Sequence, residues 1–153
     1  MMNENTASAP AGTLDLSRLE RSPGFLLRLA QLRIYDAFHT GMAEHGLTPT
    51  RYSILAVLHD NPLARPSQIA DALRIKPSNM APLLAQFEAE GLTERTSLAT
   101  ERRAVLIRLT PAGETLFAAV KAQVKTLEDE SVAMLTPAER RTLLALLARV
   151  GQK

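Results

Sequence analysis

The repeat of the apolar residues changes between 66 and 111, and this change limits the folds that the chain can adopt. The spacing predicts a short helix over 67–73 and a second helix over 77–90, in which apolar residues recur every three or four positions. Gly91 is suited to end that helix, because glycine accepts a left-handed backbone. Apolar residues then alternate with other side chains over 105–109, as in a strand. The pattern predicts a helix-turn-helix followed by a β-hairpin, or wing.

The tripeptide Leu-Thr-Pro occurs three times and marks three helix starts. Its threonines are Thr48, Thr110 and Thr136. In each copy the hydroxyl oxygen can accept a hydrogen bond from a free backbone N–H, and the proline can take the first helical position. Glu139 follows Thr136 by three residues and completes a capping box. A helix is therefore predicted to begin at the proline of each copy.

The two ends of the chain carry three of the predicted helices, over 23–45, 111–135 and 137–150. Their apolar residues cover much of each circumference, so each helix needs neighbours on more than one side. A single small domain does not provide enough neighbours, and we expect both chain ends to pair with a second copy. The predicted fold is mainly α with a small β-hairpin wing. Its expected parts are a flexible N-terminal arm (1–22), a helical dimerisation region (23–46 and 111–153) and a winged helix-turn-helix lobe (47–110).

Composition narrows the functional classes. The 153 residues suit one domain, and 46% of them are hydrophobic but only 4% aromatic, which predicts a mostly aliphatic core. The absence of cysteine excludes disulfides and thiol-based sensing of oxidants. No apolar run reaches membrane-spanning length, and the N-terminus has neither a basic start nor an apolar stretch. We therefore expect a cytoplasmic protein without a membrane partner.

Motifs of enzymes and metal sites are missing from the sequence. There is no glycine-rich phosphate loop, no nucleophile elbow and no suggestively spaced pair of carboxylates. His39, His45 and His59 show no ligand pairing at four-residue spacing. We therefore expect neither catalysis nor a metal or other cofactor, although Tyr35 and His39 could in principle serve acid–base chemistry.

The charge distribution gives weak support for a nucleic-acid partner. The net charge is +2, and between 51 and 108 eight basic residues stand against six acidic ones. Three of the acidic residues, at 88, 90 and 94, cluster near the end of the second helix of the motif, whereas Lys76, Arg102 and Arg103 lie at its start and at the tip of the wing. A DNA-binding face requires this polarity. Without the motif, an ordinary solvated mixture of charges remains open as the interpretation.

Two segments resemble a known family. The sequence ERRAVLIRLTPAG, after FEAEGLTER, resembles the wing of the MarR family of bacterial regulators, and GLTPTRYSIL is similar to that family's second helix. The resemblance covers about 24–150, nearly the whole chain. It implies a homodimeric, ligand-responsive transcriptional regulator, which we expect to act as a repressor. Its partners would be a pseudo-palindromic double-stranded DNA operator, a second copy of the chain and a small-molecule effector.

The resemblance and the helix-turn-helix geometry together predict the DNA contacts. Ser78, Asn79 and Gln86 are expected to face base edges, since amide side chains can bind adenine in bidentate fashion. Lys76 is better placed for a phosphate. An arginine of the wing can enter the minor groove, and Arg103 is the strongest candidate. The complete predicted DNA-binding set is Arg65, Ser67, Gln68, Lys76, Ser78, Asn79, Gln86, Arg95, Arg102 and Arg103.

Two departures from the family pattern bear on these contacts. Arg74 stands in the turn where glycine is usual, at a cost of about 1 kcal/mol if its φ is positive. Pro82 lies inside the second helix of the motif, where it should bend the helix or delay its regular start. The alternative function is a winged-helix protein-interaction module without sequence-specific DNA binding. Arg103→Ala should leave such a module intact, but it should greatly weaken DNA binding by a regulator.

Regulators of this family commonly bind a small molecule near the hinge between the helical region and the lobe. Arg28, Tyr35 and His39 fall on one stripe of the first helix, and Arg51 on the next helix is a further hydrogen-bond donor. Such polar groups need partners if they are buried. These four residues are the predicted ligand-binding set, with an aromatic carboxylate or its coenzyme A thioester as the expected effector. A structural polar network or an exposed helix edge is the alternative.

Overall fold

Proline begins every α-helix in the part of the chain that the structure describes. A computed structural model covers residues 14–98 and 101–152, with the backbone alone for 98 and 101–103. Proline at the first helical position loses no hydrogen bond and has a preset φ, so it fixes where a helix starts. The elements are α1 (Pro23–Met42), α2 (Pro49–Asp60), α3 (Pro66–Ala72), α4 (Pro77–Ala89), β1 (Thr93–Leu98), β2 (Glu101–Leu109), α5 (Pro111–Ser131) and α6 (Pro137–Gly151).

The three predicted caps are present. The side-chain oxygens of Thr48, Thr110 and Thr136 each accept a hydrogen bond from the backbone N–H three residues later. At Thr136 the carboxylate of Glu139 also accepts from the backbone N–H of Thr136 at 2.8 Å, which completes the capping box. That hydrogen bond holds the pKa of Glu139 below its usual value. The sequence pattern therefore placed these helix starts correctly.

Two helices end earlier than their sequence pattern predicts. α1 ends at Met42 rather than His45, because the chain tightens into a 3-10 turn and reaches Gly46 with a φ of 60°. α5 ends at Ser131 rather than near Leu135, where hydrogen bonds between residues three apart replace the α-helical ones. Apolar residues continue beyond Ser131, so periodicity alone does not mark that end.

The described residues divide into two compact units between Arg33 and Ile34, within α1. In the first unit, a 3-10 turn over Leu19–Arg21 precedes the first part of α1. Residues 1–13 of the predicted flexible arm lie outside the described part of the chain. The second unit contains the end of α1 and all later elements.

The wing is an antiparallel hairpin of β1 and β2, as predicted. Ala64, in the loop before α3, pairs with Ile107 of β2 as an isolated bridge, and the N–H of Ile107 donates to its carbonyl oxygen at 2.8 Å. The alternation along β2 is not strict, since Leu106 is buried next to Ile107 and Val105 is exposed. The bridge holds the wing against the helix-turn-helix.

The core of the second unit is shared by α2, α3, α4, α5, β2 and the end of α1. Aliphatic side chains form most of it, as the composition predicts, but three phenylalanines also belong to it. Gly113 lets α5 approach the loop before β1, because a Cβ at this position would overlap the carbonyl oxygen of Leu92. The main buried residues are Phe38, Met42, Leu47, Ile54, Leu55, Leu58, Ile69, Met80, Leu84, Phe87, Ile107, Phe117, Val120 and Val124.

α6 contains no buried residue in the described structure, although apolar side chains recur along it. Leu144 and Val150 are 59% and 71% exposed. Its attachment to α5 includes an ion pair between Arg140 and Asp129, whose pKa is lowered by hydrogen bonds from Lys125 and Arg140. A helix with so much exposed apolar surface has a face that a single chain leaves uncovered.

Candidate nucleic-acid interface and effector cleft

A tight turn at Arg74 sets the angle between α3 and α4. Arg74 has a φ of 55°, the left-handed conformation that its position in the turn suggested. The N–H of Ile75 donates to the carbonyl of Ala70 at 2.9 Å, which closes the turn. An L-residue in this conformation costs about 1 kcal/mol, so the surrounding packing must hold it there. Leu63, before α3, has a φ of 68° as well, which the sequence did not indicate.

The first turn of α4 presents polar groups to solvent. Lys76, Ser78 and Asn79 are all exposed there. The N–H of Asn79 donates to the carbonyl of Lys76 at 2.8 Å. The helix begins at Pro77 and continues through Pro82 to Ala89, so the predicted delay of its start is wrong. Pro82 lies inside the helix and has no N–H to donate to the carbonyl of Ser78, so one helical hydrogen bond is absent there.

The beginning of α3 has its own polar cluster. The side-chain oxygen of Gln68 accepts a hydrogen bond from the backbone N–H of Arg65 at 2.8 Å, which caps the helix. Ser67 is exposed beside them. Gln68 therefore has a structural role whether or not its amide also reaches DNA.

Two arginines of the wing are paired with carboxylates. Arg95 on β1 donates to Glu88 of α4 at 2.9 Å, and Arg108 on β2 donates to Glu94 of β1 at 2.6 Å. The first pair connects the wing to the end of α4. The side chains of Arg102 and Arg103 lie outside the described residues, so their predicted DNA contacts stay predictions.

Arg51 joins α2 to the second half of α4. Its guanidinium lies over the ring of Phe87 at 4.4 Å from the centroid, forms an ion pair with Glu90 and donates to the side-chain oxygen of Gln86 at 3.3 Å. The structure thus places this predicted ligand-binding residue against α4. It also places Gln86, a predicted base contact, within the same cluster.

A cleft lies between the end of α1, the start of α2 and the turn at Arg74. Its volume is about 140 Å³, close to that of a cavity that holds one benzene molecule. Hydroxyl and apolar groups line it, and none of its lining residues carries a charged side chain. The lining residues are Tyr35, Pro49, Thr50, Ser53, Leu73 and Ile75.

The other predicted ligand-binding residues lie elsewhere. His39 is exposed on the second-unit part of α1, and Arg28 is exposed on the part of α1 that belongs to the first unit.

His59 pairs with Glu114 of α5 at 2.7 Å. Within the described residues no group of three or more His, Asp or Glu side chains could hold a metal ion, and no helix is long and apolar enough to cross a membrane.

Comparison with known proteins identifies the family. The model of the MarR family matches residues 47–105. A protein of Thauera aromatica, assigned as the transcriptional regulator of the hcr operon, is 33% identical over 128 residues, which are 83% of this chain and 77% of that protein. The chain belongs to the MarR family. It is a DNA-binding transcriptional regulator and not an enzyme.

Two solved structures of the transcriptional repressor CouR resemble this MarR-family chain closely. CouR bound to a 23-mer DNA duplex is 33% identical, with a TM-score of 0.86 over 92% of this chain and 99% of that one. CouR bound to p-coumaroyl-CoA is 31% identical, with a TM-score of 0.83 and the same coverage of both chains. The mainly helical fold with a hairpin wing is thus the fold of MarR-family repressors.

Most residues of the cleft in this MarR-family chain were not predicted from the sequence. Thr50 and Ser53 lie near a helix start, where hydroxyl residues usually serve as caps, so they give no signal of a cleft. Leu73 and Ile75 carry a usable signal, since apolar residues on both sides of a tight turn need a buried environment. Tyr35, a predicted ligand-binding residue, lies in the wall of the cleft, and its role in binding stays a prediction.

Proposed function

We propose that the chain is a homodimeric, ligand-responsive repressor that binds a pseudo-palindromic operator. The supporting observation is the exposed first turn of α4, held beside the wing in a lobe whose fold matches DNA-bound CouR. In a dimer, two copies of α4 would enter successive major grooves, with half-sites about one helical turn apart. The lobe over 47–110 would bind DNA, and 23–46 with 111–153 would form the dimer.

DNA binding is tested with a fragment from upstream of the chain's own gene and a scrambled fragment of equal composition. Fluorescence anisotropy should give tighter binding to the first, with affinity falling as salt rises, because phosphate contacts release counterions. Asn79→Ala should reduce the preference between the two fragments, since a base contact is worth about 1–3 kcal/mol. Lys121→Ala, on α5, is the control and should leave it unchanged. Equal binding to both fragments would contradict sequence-specific regulation and favour the protein-interaction module.

The dimer is proposed from the uncovered surface of α6. Leu144, Leu147 and Val150 are exposed and lie on one side of the helix at three-residue steps. A second copy would bury them, and apolar burial contributes about 25 cal/mol per Å². Light scattering should give twice the chain mass, and Leu147→Glu should shift the protein toward monomer. A wild-type monomer at micromolar concentration would exclude this assembly.

The effector is proposed to be an aromatic acyl thioester whose ring enters the Tyr35 cleft. The volume of about 140 Å³ suits one ring but is too small for a coenzyme A group. The residues that line it offer hydroxyls but no cation, so the cleft favours a neutral aryl end over a free carboxylate. The relative CouR has been solved with p-coumaroyl-CoA, a ligand of this class. Ligand binding would release DNA only through different affinities for the two dimer shapes.

Calorimetry with p-coumaroyl-CoA, p-coumarate and free coenzyme A shows whether the protein binds the thioester, the free acid or coenzyme A alone. We expect the thioester to bind more tightly than the acid. It should also lower the affinity of the protein for the DNA fragment from upstream of its own gene. Ser53→Leu should fill the cleft and abolish thioester binding, while DNA binding persists. Unchanged thioester affinity in this variant would place the effector elsewhere.

A further inference from the structure

We propose that α4 reads thymine through the C5-methyl group that this base presents in the major groove, and that Pro82 and Ala85 make the contact. The inference rests on the proposed function, because it requires α4 to enter the major groove of DNA. It assigns a specificity-determining role to two residues that have no hydrogen-bonding side chain.

Helical spacing defines the face of α4 that would meet a groove. Ser78, Pro82 and Ala85 follow one another at four- and three-residue steps, and all three are exposed. The buried residues of α4 occupy the opposite face. The three exposed side chains therefore lie farthest from the core and nearest to any groove that the helix enters.

The chemistry of this face is unusual for a helix that reads DNA. The side chains of Pro82 and Ala85 can neither donate nor accept a hydrogen bond. Cytosine, guanine and adenine present donors or acceptors at this edge that these side chains cannot match, whereas thymine presents a methyl group beside its O4 acceptor. The thymine methyl is the apolar group that a base edge offers in the major groove. Thymine is therefore the base that complements this face.

Ion pairs remove an obstacle to close approach of this face. Glu88 and Glu90 lie at the far end of α4 and would repel phosphates if they were unmatched. Glu88 accepts a hydrogen bond from Arg95 at 2.9 Å, and Glu90 is ion-paired with Arg51. With these carboxylates neutralised locally, the helix can approach the groove along the length that includes Ala85.

The test replaces thymine by uracil, which lacks only the C5-methyl. The promoter fragment from upstream of the chain's own gene is amplified with dUTP in place of dTTP, and its affinity is compared with that of the unmodified fragment. We expect about fourfold weaker binding for each contacted methyl, the factor that corresponds to burial of one such group. In the double variant Pro82→Ala/Ala85→Ser the loss caused by uracil should fall below about twofold. Ala119→Ser, an exposed alanine of α5, is the matched control and should keep the full loss.

The outcomes separate this inference from the proposed function. If the wild type prefers its promoter over the scrambled fragment but binds the thymine and uracil forms equally, methyl reading is refuted and the repressor proposal stands. If the loss caused by uracil persists in the double variant, Pro82 and Ala85 are not the contacts. If the wild type shows no preference for its promoter, both proposals fail together. Circular dichroism of each variant checks that α4 remains folded.

Discussion

Replacing Arg51 tests how α4 is held in place. Arg51→Met keeps an aliphatic stem over the ring of Phe87 but removes the charge and the hydrogen bonds to Glu90 and Gln86. The side chain of Arg51 is 11% exposed, so its cation–π contact should contribute about 1 kcal/mol. Glu90 is 42% exposed, which limits the ion pair to about 1 kcal/mol more. We expect the free energy of unfolding to fall by about 2 kcal/mol.

Arg108→Met is the matched control for this prediction. Arg108 also pairs with a carboxylate, Glu94, but these side chains are 53% and 46% exposed and the pair should contribute about 0.5 kcal/mol. Urea unfolding at one fixed protein concentration gives both values, because a dimer unfolds in a concentration-dependent way. A double-mutant cycle with Glu90→Gln isolates the Arg51 ion pair. Equal destabilisation by Arg51→Met and Arg108→Met would refute the assigned role of Arg51.

Three further predictions concern packing, protonation and backbone strain. Gly113→Ala should destabilise the fold by about 3 kcal/mol in thermal unfolding, because its Cβ would overlap backbone of Leu92, whereas Gly151→Ala meets open space and should have little effect. Glu139 has a lowered pKa in the folded chain. Its contribution to the free energy of unfolding is therefore present above the ordinary glutamate pKa of 4.5 and is lost as the pH falls through the lowered value. The difference in unfolding midpoint between wild type and Glu139→Gln should therefore exist at pH 7 and disappear in strong acid, and a constant difference would contradict it. Arg74→Gly should stabilise the protein by about 0.5 kcal/mol in urea, since relief of the positive φ exceeds the added chain entropy; a loss of stability would show that its side chain matters more.

Local signals in the sequence predicted the helix starts and the motif well. The Thr-Pro caps at 48–49, 110–111 and 136–137 depend on neighbouring atoms alone, so they could be read without knowledge of the fold. The family resemblance likewise indicated that Arg74 occupies a turn where glycine is usual, and its φ is positive. Because these features depend on few distant contacts, they can be recognised from the sequence alone.

Contacts between distant residues were not predictable in the same way. Arg51 and Glu90 are far apart in the chain, and nothing near Arg51 indicates that its guanidinium would lie on Phe87 rather than in a ligand site. The cleft lined by Tyr35 combines residues of three separate segments, so Thr50 and Ser53 gave no sign of it. The repeat of apolar residues could not predict the β-bridge between Ala64 and β2, because a single residue of the loop forms it.

The turn at Arg74 has a mechanical consequence for signalling. Leu73 and Ile75, on either side of Arg74, form part of the wall of the cleft, and α4 starts at Pro77. One residue, Lys76, therefore separates Ile75 of the cleft wall from the start of α4, the helix that is proposed to contact the operator. A molecule bound in the cleft would therefore act directly beside the start of α4, without a chain of contacts across the domain. A sub-ångström shift of the turn would be magnified along the thirteen residues of α4.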